Sequence, residues 1–522
     1  MAATTIPAPI FIGQVRILFR LTVSVVIPKR TRLKKHQITL LLLLSVATLF
    51  IHGYHPYAED AEIYLPGVER ILNPSLFPVG QVFFQSHASM TLFPNLVALS
   101  ARISHLPLEA VLFVWQLASI NLLLLSCWQL SKMCFSSERA CIGSVTLVAG
   151  LLSIPVAGTA LYIVDQYLNP RNLAAFAVVF AVARTLESKY IRAMLWMAFA
   201  ASVHPLMWTY AFSFCALLIV MKRYESRLWP MQQGAGVSAA AAAIPLTLPF
   251  SQSTPAYHEA ARLHANHYIQ HWTWYELIGL LAPIALFAWF ASIARRRGWT
   301  NAARLCRAFI VYDVVYIVVA LVVDLPDRFE SLARLQPLRC LHLLYLVMFV
   351  IMGGLLGEFV LKKHVWRWLA LFVPLGFGMY FAQRELFPGS ATVEWPGSAP
   401  RNPWALAFIW VRQNTPVDAV FALDPHFLHI EGEDEIGFRC LAQRSRLADA
   451  IKDNGVVSMF PPLAEHWWAE VKAQSPWSSL GMAGLTRLKR DYGVTWVIVQ
   501  QPGLAGLACP YQNSAVRVCR VP

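Results

Sequence analysis

Of the 522 residues, 57% are hydrophobic and only 14% charged, against ~25% charged in an ordinary soluble domain. So little polar surface excludes a soluble enzyme of this length and implies an α-helical polytopic membrane protein. The 43 Lys and Arg exceed the 29 Asp and Glu for a net charge of +14; because they cluster between apolar runs, they read as membrane topology and not as a nucleic-acid surface.

Residues 1–36 form a basic leader with Lys29, Arg30, Arg32, Lys34 and Lys35, which the positive-inside rule places in the cytoplasm. The first span covers 37–53 and runs outward. The segment 54–105 opens on Glu59, Asp60, Glu62 and Glu69 and carries Pro66, Pro74, Pro78 and Pro94. It reads as a large first outer loop with helices lying on the membrane surface. Further spans are expected at 108–130, 141–163 and 173–186, with a polar outer segment at 165–172. The apolar stretch 194–220 is broken by His204-Pro205, which suits two short helices meeting near the outer face, because Pro is tolerated at a helix start.

Spans at 231–249, 275–294, 303–324, 339–360 and 365–382, with outer loops at 251–274 and 325–338, bring the total to eleven crossings. The expected localisation is the bacterial inner (plasma) membrane, N-terminus cytoplasmic and C-terminus extracytoplasmic. The spanning domain is 37–385, and 386–522 reads as a small soluble α/β domain long enough for its own core. In it helices are expected at 404–411, 463–473 and 485–490 and strands at 418–423 and 494–500. None of the nine cysteines forms a C-x-x-C pair, which argues against a thiolate metal cage. Cys509 and Cys519 flank an expected hairpin at Gln512-Asn513, where an oxidising outer compartment allows a disulfide.

The chemistry-bearing residues lie in outer segments. His55-Pro56-Tyr57-Ala58-Glu59-Asp60-Ala61-Glu62-Ile63-Tyr64 sets three carboxylates within four positions, and their mutual repulsion calls for a cation, metal or proton. Such a cluster supplies a general base or a metal ligand; the bland alternative is a solvated loop. In Asp165-Gln166-Tyr167-Leu168-Asn169-Pro170-Arg171-Asn172, a helix starting at Pro170 aims free N–H groups at an anion, and Arg171 offers a rigid fork to phosphate or carboxylate. Arg328, Arg334 and Arg339 lie where the positive-inside rule gives no reason for them and are candidates to clamp a phosphate, against interfacial snorkelling or pairing with Asp327 and Glu330. His204 is an interfacial histidine or an acceptor contact. His264, His267 and His271 share one helical face at i, i+3 and i+7, a spacing that can hold a transition metal, although Tyr268, Trp272, Trp274 and Tyr275 among them also read as an aromatic interfacial belt. No P-loop, GxSxG or HExxH is present.

An acidic pair after the first span, followed four positions from the Asp by a Tyr, resembles the first outer loop of the GT-C glycosyltransferases. That superfamily includes protein O-mannosyltransferases, aminoarabinose transferases and oligosaccharyltransferase catalytic subunits, which use polyprenyl-phosphate-linked sugar donors. The segments 435–446 and 492–499 also resemble the outer domains of bacterial members. The resemblance implies Asp60 as catalytic base with Glu59 and Glu62 as second candidates, the pair being Glu-Asp where some families have Asp-Glu. It further implies Tyr64 as the companion of Asp60, and Asp165, Arg171, His204, Arg334 and Arg339 on the substrate side. The implied reaction moves a sugar from a polyprenyl-phosphate donor to an acceptor on the outer face, with inversion. The partners are that donor and membrane lipid, with no nucleic acid; a divalent metal stays open as cofactor. The competing reading is a transporter or flippase of a lipid or anionic solute, in which the same charges line a path.

Overall fold

The computed structural model describes residues 33–228, 253–324, 330, 332 and 334–522. The span expected at 231–249, and Arg328 with Asp327, lie outside the described residues. Seven described helices are long and apolar enough to cross a bilayer. They are α1 (Lys35–His52), α5 (Leu108–Cys134), α9 (Pro205–Leu228), α11 (Trp274–Arg296), α12 (Thr300–Asp324), α13 (Leu341–Leu355, entered by the tight turn Pro337–Cys340 and prolonged by a wider turn Leu356–Leu361) and α14 (Val365–Leu386). Three shorter helices, α6 (Glu138–Gly150), α7 (Pro170–Leu186) and α8 (Tyr190–Val203), complete the bundle.

The centre of the bundle is α7, all of whose residues are buried against α5, α8 and α9. Its periphery is α14, whose Trp366, Leu369, Val373, Phe377 and Phe381 are all exposed, as a lipid-facing helix requires. The turns carrying the basic clusters meet at one end. There His36 lies 2.7 Å from Glu138, Asn301 reaches the Met133 carbonyl at 3.1 Å, Lys222 bonds Ser188, and the Arg297 guanidinium sits 4.8 Å above the Phe359 ring. The helices expected on either side of His204-Pro205 are α8 and α9.

The span expected at 141–163 is not one helix: α6 ends at Gly150, and 151–169 continue without helix around a bridge between Pro155 and Tyr162. Pro155 lacks an N–H and disfavours helix at the residue before it. The apolar residues that suggested a span, Leu152, Val156, Leu161 and Ile163, are buried all the same. Irregular backbone at this depth is tolerated where it is enclosed by protein or lines a cavity. Trp272 packs onto Gly158, where a Cβ would fall 2.5 Å from the indole.

At the end opposite the basic turns, the first loop folds into α2 (Ala61–Leu72), α3 (Val82–Met90) and α4 (Phe93–Ser104), and α10 (Pro255–Leu263) lies beside it. The C-terminal region covers this end. It comprises α15 (Pro403–Asn414), β1 (Val420–Ala422), α16 (Phe438–Ala442), β2 (Ser445–Arg446), α17 (Lys452–Met459), α18 (Ala464–Gln474), α19 (Met482–Tyr492), β3 (Trp496–Gln500), β4 (Ala508–Gln512) and β5 (Val516–Arg520). The sheet order is β2-β1-β3-β5-β4, with β1 parallel to β2 and β3 and the last hairpin antiparallel. All five elements expected in this tail are present, and Cys509 and Cys519 are disulfide-bonded across the hairpin. Tyr57 of the first loop packs onto the core under the sheet, and Tyr54 and Ala58 bridge Val393 and Ile436.

Close packing of α6 on α13 holds the bundle together toward the end that carries the basic turns. A Cβ on Gly353 would fall 2.4 Å from the Gly143 carbonyl oxygen, and one on Gly143 2.3 Å from that of Gly353. Small residues are the usual means of bringing spanning helices this close. Gly353→Val should therefore push the helices apart and cost about 1–3 kcal/mol, read as a lower thermal unfolding midpoint of the purified chain in detergent.

Candidate functional site

The chain leaves α1 through Gly53, whose φ of 81° and contact with the His55 ring leave no room for a side chain. It then runs beside 435–437: the Glu59 N–H donates to the Glu435 carbonyl at 2.8 Å, and Gly437 N–H to the Tyr57 carbonyl at 2.8 Å. Glu59 and Glu435 both adopt left-handed backbone, with φ 57° and 52°. Such strain is uncommon outside Gly, costs ~1–3 kcal/mol per residue and persists only where surrounding contacts impose it.

Asp60 is the residue before α2, and its side chain makes no capping bond, so the carboxylate is left to the cavity beyond. Tyr64, one turn on, shares its face, as the four-residue spacing dictates. Glu62 does not face the cavity. Two residues along a helix is ~200° of rotation, and Glu62 is instead fully buried against the C-terminal region. There Arg446 Nη2 is 2.8 Å and Arg439 Nη1 3.5 Å from its Oε1, while the Arg439 N–H donates to Oε2 at 2.7 Å. Arg439 also forks onto Asp453 at 2.7 and 2.8 Å, and Arg446 pairs with Asp449.

The cavity has a volume of about 280 Å³. Of the residues singled out in the sequence, it gathers Glu59, Asp60, Tyr64, Asp165, Arg171, His204 and Arg339, together with His264 and His267. Asp165 and Arg171 arrive as a pair: Arg171 Nη2 and Nε lie 2.6 and 3.1 Å from Asp165 Oδ2, which also accepts from Asn169 at 2.6 Å. The helix α7 starts at Pro170 as expected, capped by Asn169. His204, between α8 and α9, accepts the Met207 N–H at 3.3 Å.

Arg339 differs from Arg171. Among the described residues its guanidinium forms no ion pair, and its Nε is buried with no hydrogen-bond partner. Gln336 beside it leaves its Oε1 unpartnered in the same way. Buried cations are normally paired, so an unpaired guanidinium facing a cavity suits an anionic ligand.

Arg334 is exposed outside the turn Pro337–Cys340 and does not line the cavity. Nor do the three histidines share a helical face. The helix α10 ends at Leu263 and is followed by two single turns, so His264 and His267 stack at 4.9 Å while His271 turns outward beside Tyr268. Among the described residues no group of three or more His, Cys, Asp or Glu is arranged to hold a metal ion.

The residue that sequence reading missed is Lys452, at the start of α17. Its ammonium pairs with Glu59 and lies 3.5 Å from Asp60 Oδ1 and 3.6 Å from Glu435 Oε2. The Glu59 contact joins residues 393 apart, and the run Asp449-Ala-Ile-Lys-Asp-Asn looks like any charged helix start. Burial alone would push the Asp60 carboxyl up. Lys452 first, then Arg171 and Arg339, outweigh it and hold the group below the usual carboxylate range. Asp60 is therefore ionised at neutral pH.

No family model and no curated protein matches the sequence. Among solved structures the chain is similar to the oligosaccharyltransferase AglB of the archaeon Archaeoglobus fulgidus, solved in complex with an inhibitory peptide and a dolichol-phosphate. Identity is 10% and the TM-score 0.46, over 89% of this chain and 69% of that one.

Glu62→Ala leaves two buried guanidiniums short of a carboxylate and should cost about 3 kcal/mol, measured as a fall in thermal unfolding midpoint relative to an exposed control such as Glu465→Ala. His87 and His264 also line the cavity, and burial lowers each to about 4. Their unfolded forms take up protons near pH 6.5, so between pH 6.5 and 4 the unfolded chain binds more protons and stability falls as pH drops. Glu435, pushed up to about 8 by burial and by Glu59, titrates in the opposite sense. The prediction is therefore a difference: the stability margin of the wild type over His87→Gln/His264→Gln should shrink from pH 7 to 4.5.

Proposed function

We propose that the protein is a membrane glycosyltransferase that moves a sugar from a polyprenyl-phosphate-linked donor to an acceptor hydroxyl or amide at the outer face of the membrane. The observation that carries this reading is a single cavity bearing an ionised Asp60 and an unpaired Arg339 guanidinium. The first is a proton acceptor; the second is a seat for a leaving phosphate. The volume lies at the lower edge of the ~300–1,000 Å³ usual for small-molecule sites, which suits a sugar phosphate head group and leaves the prenyl chain outside.

In this reading the acceptor heteroatom attacks the anomeric carbon as the bond from that carbon to the phosphate oxygen breaks. The acceptor proton passes to Asp60, a step worth ~10²–10⁴ in rate. The lipid phosphate leaves with the bonding electrons and is stabilised by Arg339. Pre-placed charge of this kind is often the largest catalytic contribution. Arg171, held by Asp165, adds to the positive field without being the primary seat. Glu59, ion-paired to Lys452, is the weaker candidate for the base. The basic turns gathered at the opposite end of the bundle support the outer-face part of this reading.

One observation favours transport: Asp313 and Asp324 of α12 are buried and, among the described residues, neither oxygen of either carboxylate has a partner. Intramembrane carboxylates often mark an ion or proton path.

Asp60→Asn should lower transfer by at least ~10² with expression and unfolding midpoint unchanged, Arg339→Met should lower it by ~10²–10³, and Glu59→Gln should cost far less. The measurement is mass spectrometry of surface glycans and lipid-linked intermediates from cells carrying each variant. Undiminished product in Asp60→Asn overturns the reading, and solute counterflow in liposomes without a lipid-linked sugar, abolished by Asp313→Asn, replaces it with transport.

A further inference from the structure

Glu59 and Asp60 come from the first loop and Glu435 from the C-terminal region, and the three side chains converge on one point. Carboxylates gathered in this way repel one another, and the repulsion is relieved by a proton, a metal or a fixed positive charge. A hard divalent ion would take such oxygens at ~2.0–2.6 Å. The residues present do not fit one, because Lys452 Nζ already stands among them, ion-paired to Glu59 and 3.5 and 3.6 Å from Asp60 and Glu435. A divalent ion bound by the same oxygens would sit within a few ångströms of that ammonium, where the like charges repel each other strongly at a partly buried site.

Lys452 cannot easily swing away. Asp449 Oδ1 accepts the backbone N–H groups of Ile451 and Lys452 at 2.7 and 2.6 Å, and the next residue, Asp453, is locked to Arg439. The Lys452 side chain is only 11% exposed. Glu435, pushed up to about 8 by burial and by Glu59, keeps its proton at neutral pH, which limits the negative charge beside the ammonium to two carboxylates. One ammonium then faces two carboxylates and a carboxylic acid, with the second guanidinium field of Arg171 and Arg339 across the cavity.

We propose that Lys452 is the built-in counter-ion of the acidic first loop: it positions Asp60, keeps it ionised, and occupies the place a divalent cation would otherwise take. This rests on the transferase reading only for what Asp60 does, and the counter-ion is testable without donor or acceptor. The experiment titrates the purified full-length chain in detergent with Mn²⁺ alone, following free Mn²⁺ by electron paramagnetic resonance. Wild type should bind Mn²⁺ at this site no tighter than ~10⁻³ M, the weak end for oxygen-ligand sites. Lys452→Met keeps the alkyl stem but frees the carboxylates; it should bind one Mn²⁺ at least about tenfold more tightly, a gain of ~1.4 kcal/mol. Adding Asp60→Asn should abolish the gain, and Lys452→Arg, which restores the charge, should show none.

A folded Lys452→Met chain that gains no Mn²⁺ affinity overturns the proposal, as does wild-type binding equally tight and sensitive to Asp60→Asn. Should Lys452→Met fail to fold, wild type and Lys452→Arg decide: both must leave Mn²⁺ unbound, and saturable binding to either that Asp60→Asn removes overturns the proposal. Loss of transfer is not the readout, so a failed transferase reading leaves this result standing and the reverse also holds.

Discussion

The buried ion cluster of Glu62 with Arg439, Arg446, Asp449 and Asp453 fixes the rest of the working end of the molecule. All five side chains are at most 2% exposed. Buried ion pairs are a poor source of net stability, because desolvation offsets most of the attraction, but removing one member is costly. Such a cluster therefore tolerates one arrangement and penalises the others. It ties the first helix of the first loop to the start of α17. On that short helix, neighbouring residues are divided between two tasks: Asp453 belongs to the cluster and Lys452 reaches past it to Glu59 and Asp60. The position of the site's ammonium is thus set by the cluster behind it.

The cavity holds two arginines in different states. Arg171 is satisfied, with two hydrogen bonds from its fork to a buried carboxylate that is itself bonded by Asn169. It shapes the field and is not available for a second fork-to-fork contact with the same nitrogens. Arg339 enters on the turn before α13 and, among the described residues, forms no ion pair and leaves its Nε without a partner. Tyr210 donates to the carbonyls of Leu335 and Gln336 at 2.8 and 2.6 Å, fixing the turn while leaving the guanidinium uncommitted. A carboxylate kept ionised and a guanidinium kept unpaired are both unfavourable arrangements for a folded chain, and they share a cavity lined by three left-handed, non-glycine residues, Glu59, Ala160 and Gln336. Local strain of this kind concentrates where a site is pre-shaped for a ligand.

Most of the spanning helices were legible in the sequence because each is a long apolar run ended by charge, and the break at His204-Pro205 was legible because Pro restricts what precedes it. The shared face of Asp60 and Tyr64 follows from helical spacing, and the start of α7 from Asn169-Pro170. The segment 151–163 reads as helix because hydropathy reports burial and not conformation; its apolar residues are buried but in irregular chain. Glu62 was grouped with Asp60 by proximity in sequence, although two steps along a helix point it the other way. The histidine trio failed for a related reason: the spacing holds only if the helix continues beyond Leu263. Lys452 was not legible at all, since nothing local distinguishes a lysine that crosses to the first loop from one in solvent.

The distance along the chain between the two halves of the ion cluster has a consequence for biogenesis. Glu62 bonds the backbone at Arg439, 377 residues later. At ~5–20 residues per second, the first loop waits on the order of 20–75 s between its own synthesis and the arrival of the segment that neutralises it. Throughout that interval Glu59, Asp60 and Glu62 have neither Lys452 nor the two guanidiniums, so the carboxylates lack the counter-charges that orient them. Assembly of this cluster waits for α17, and a chain cut short before it carries the bundle without Lys452 or the two guanidiniums.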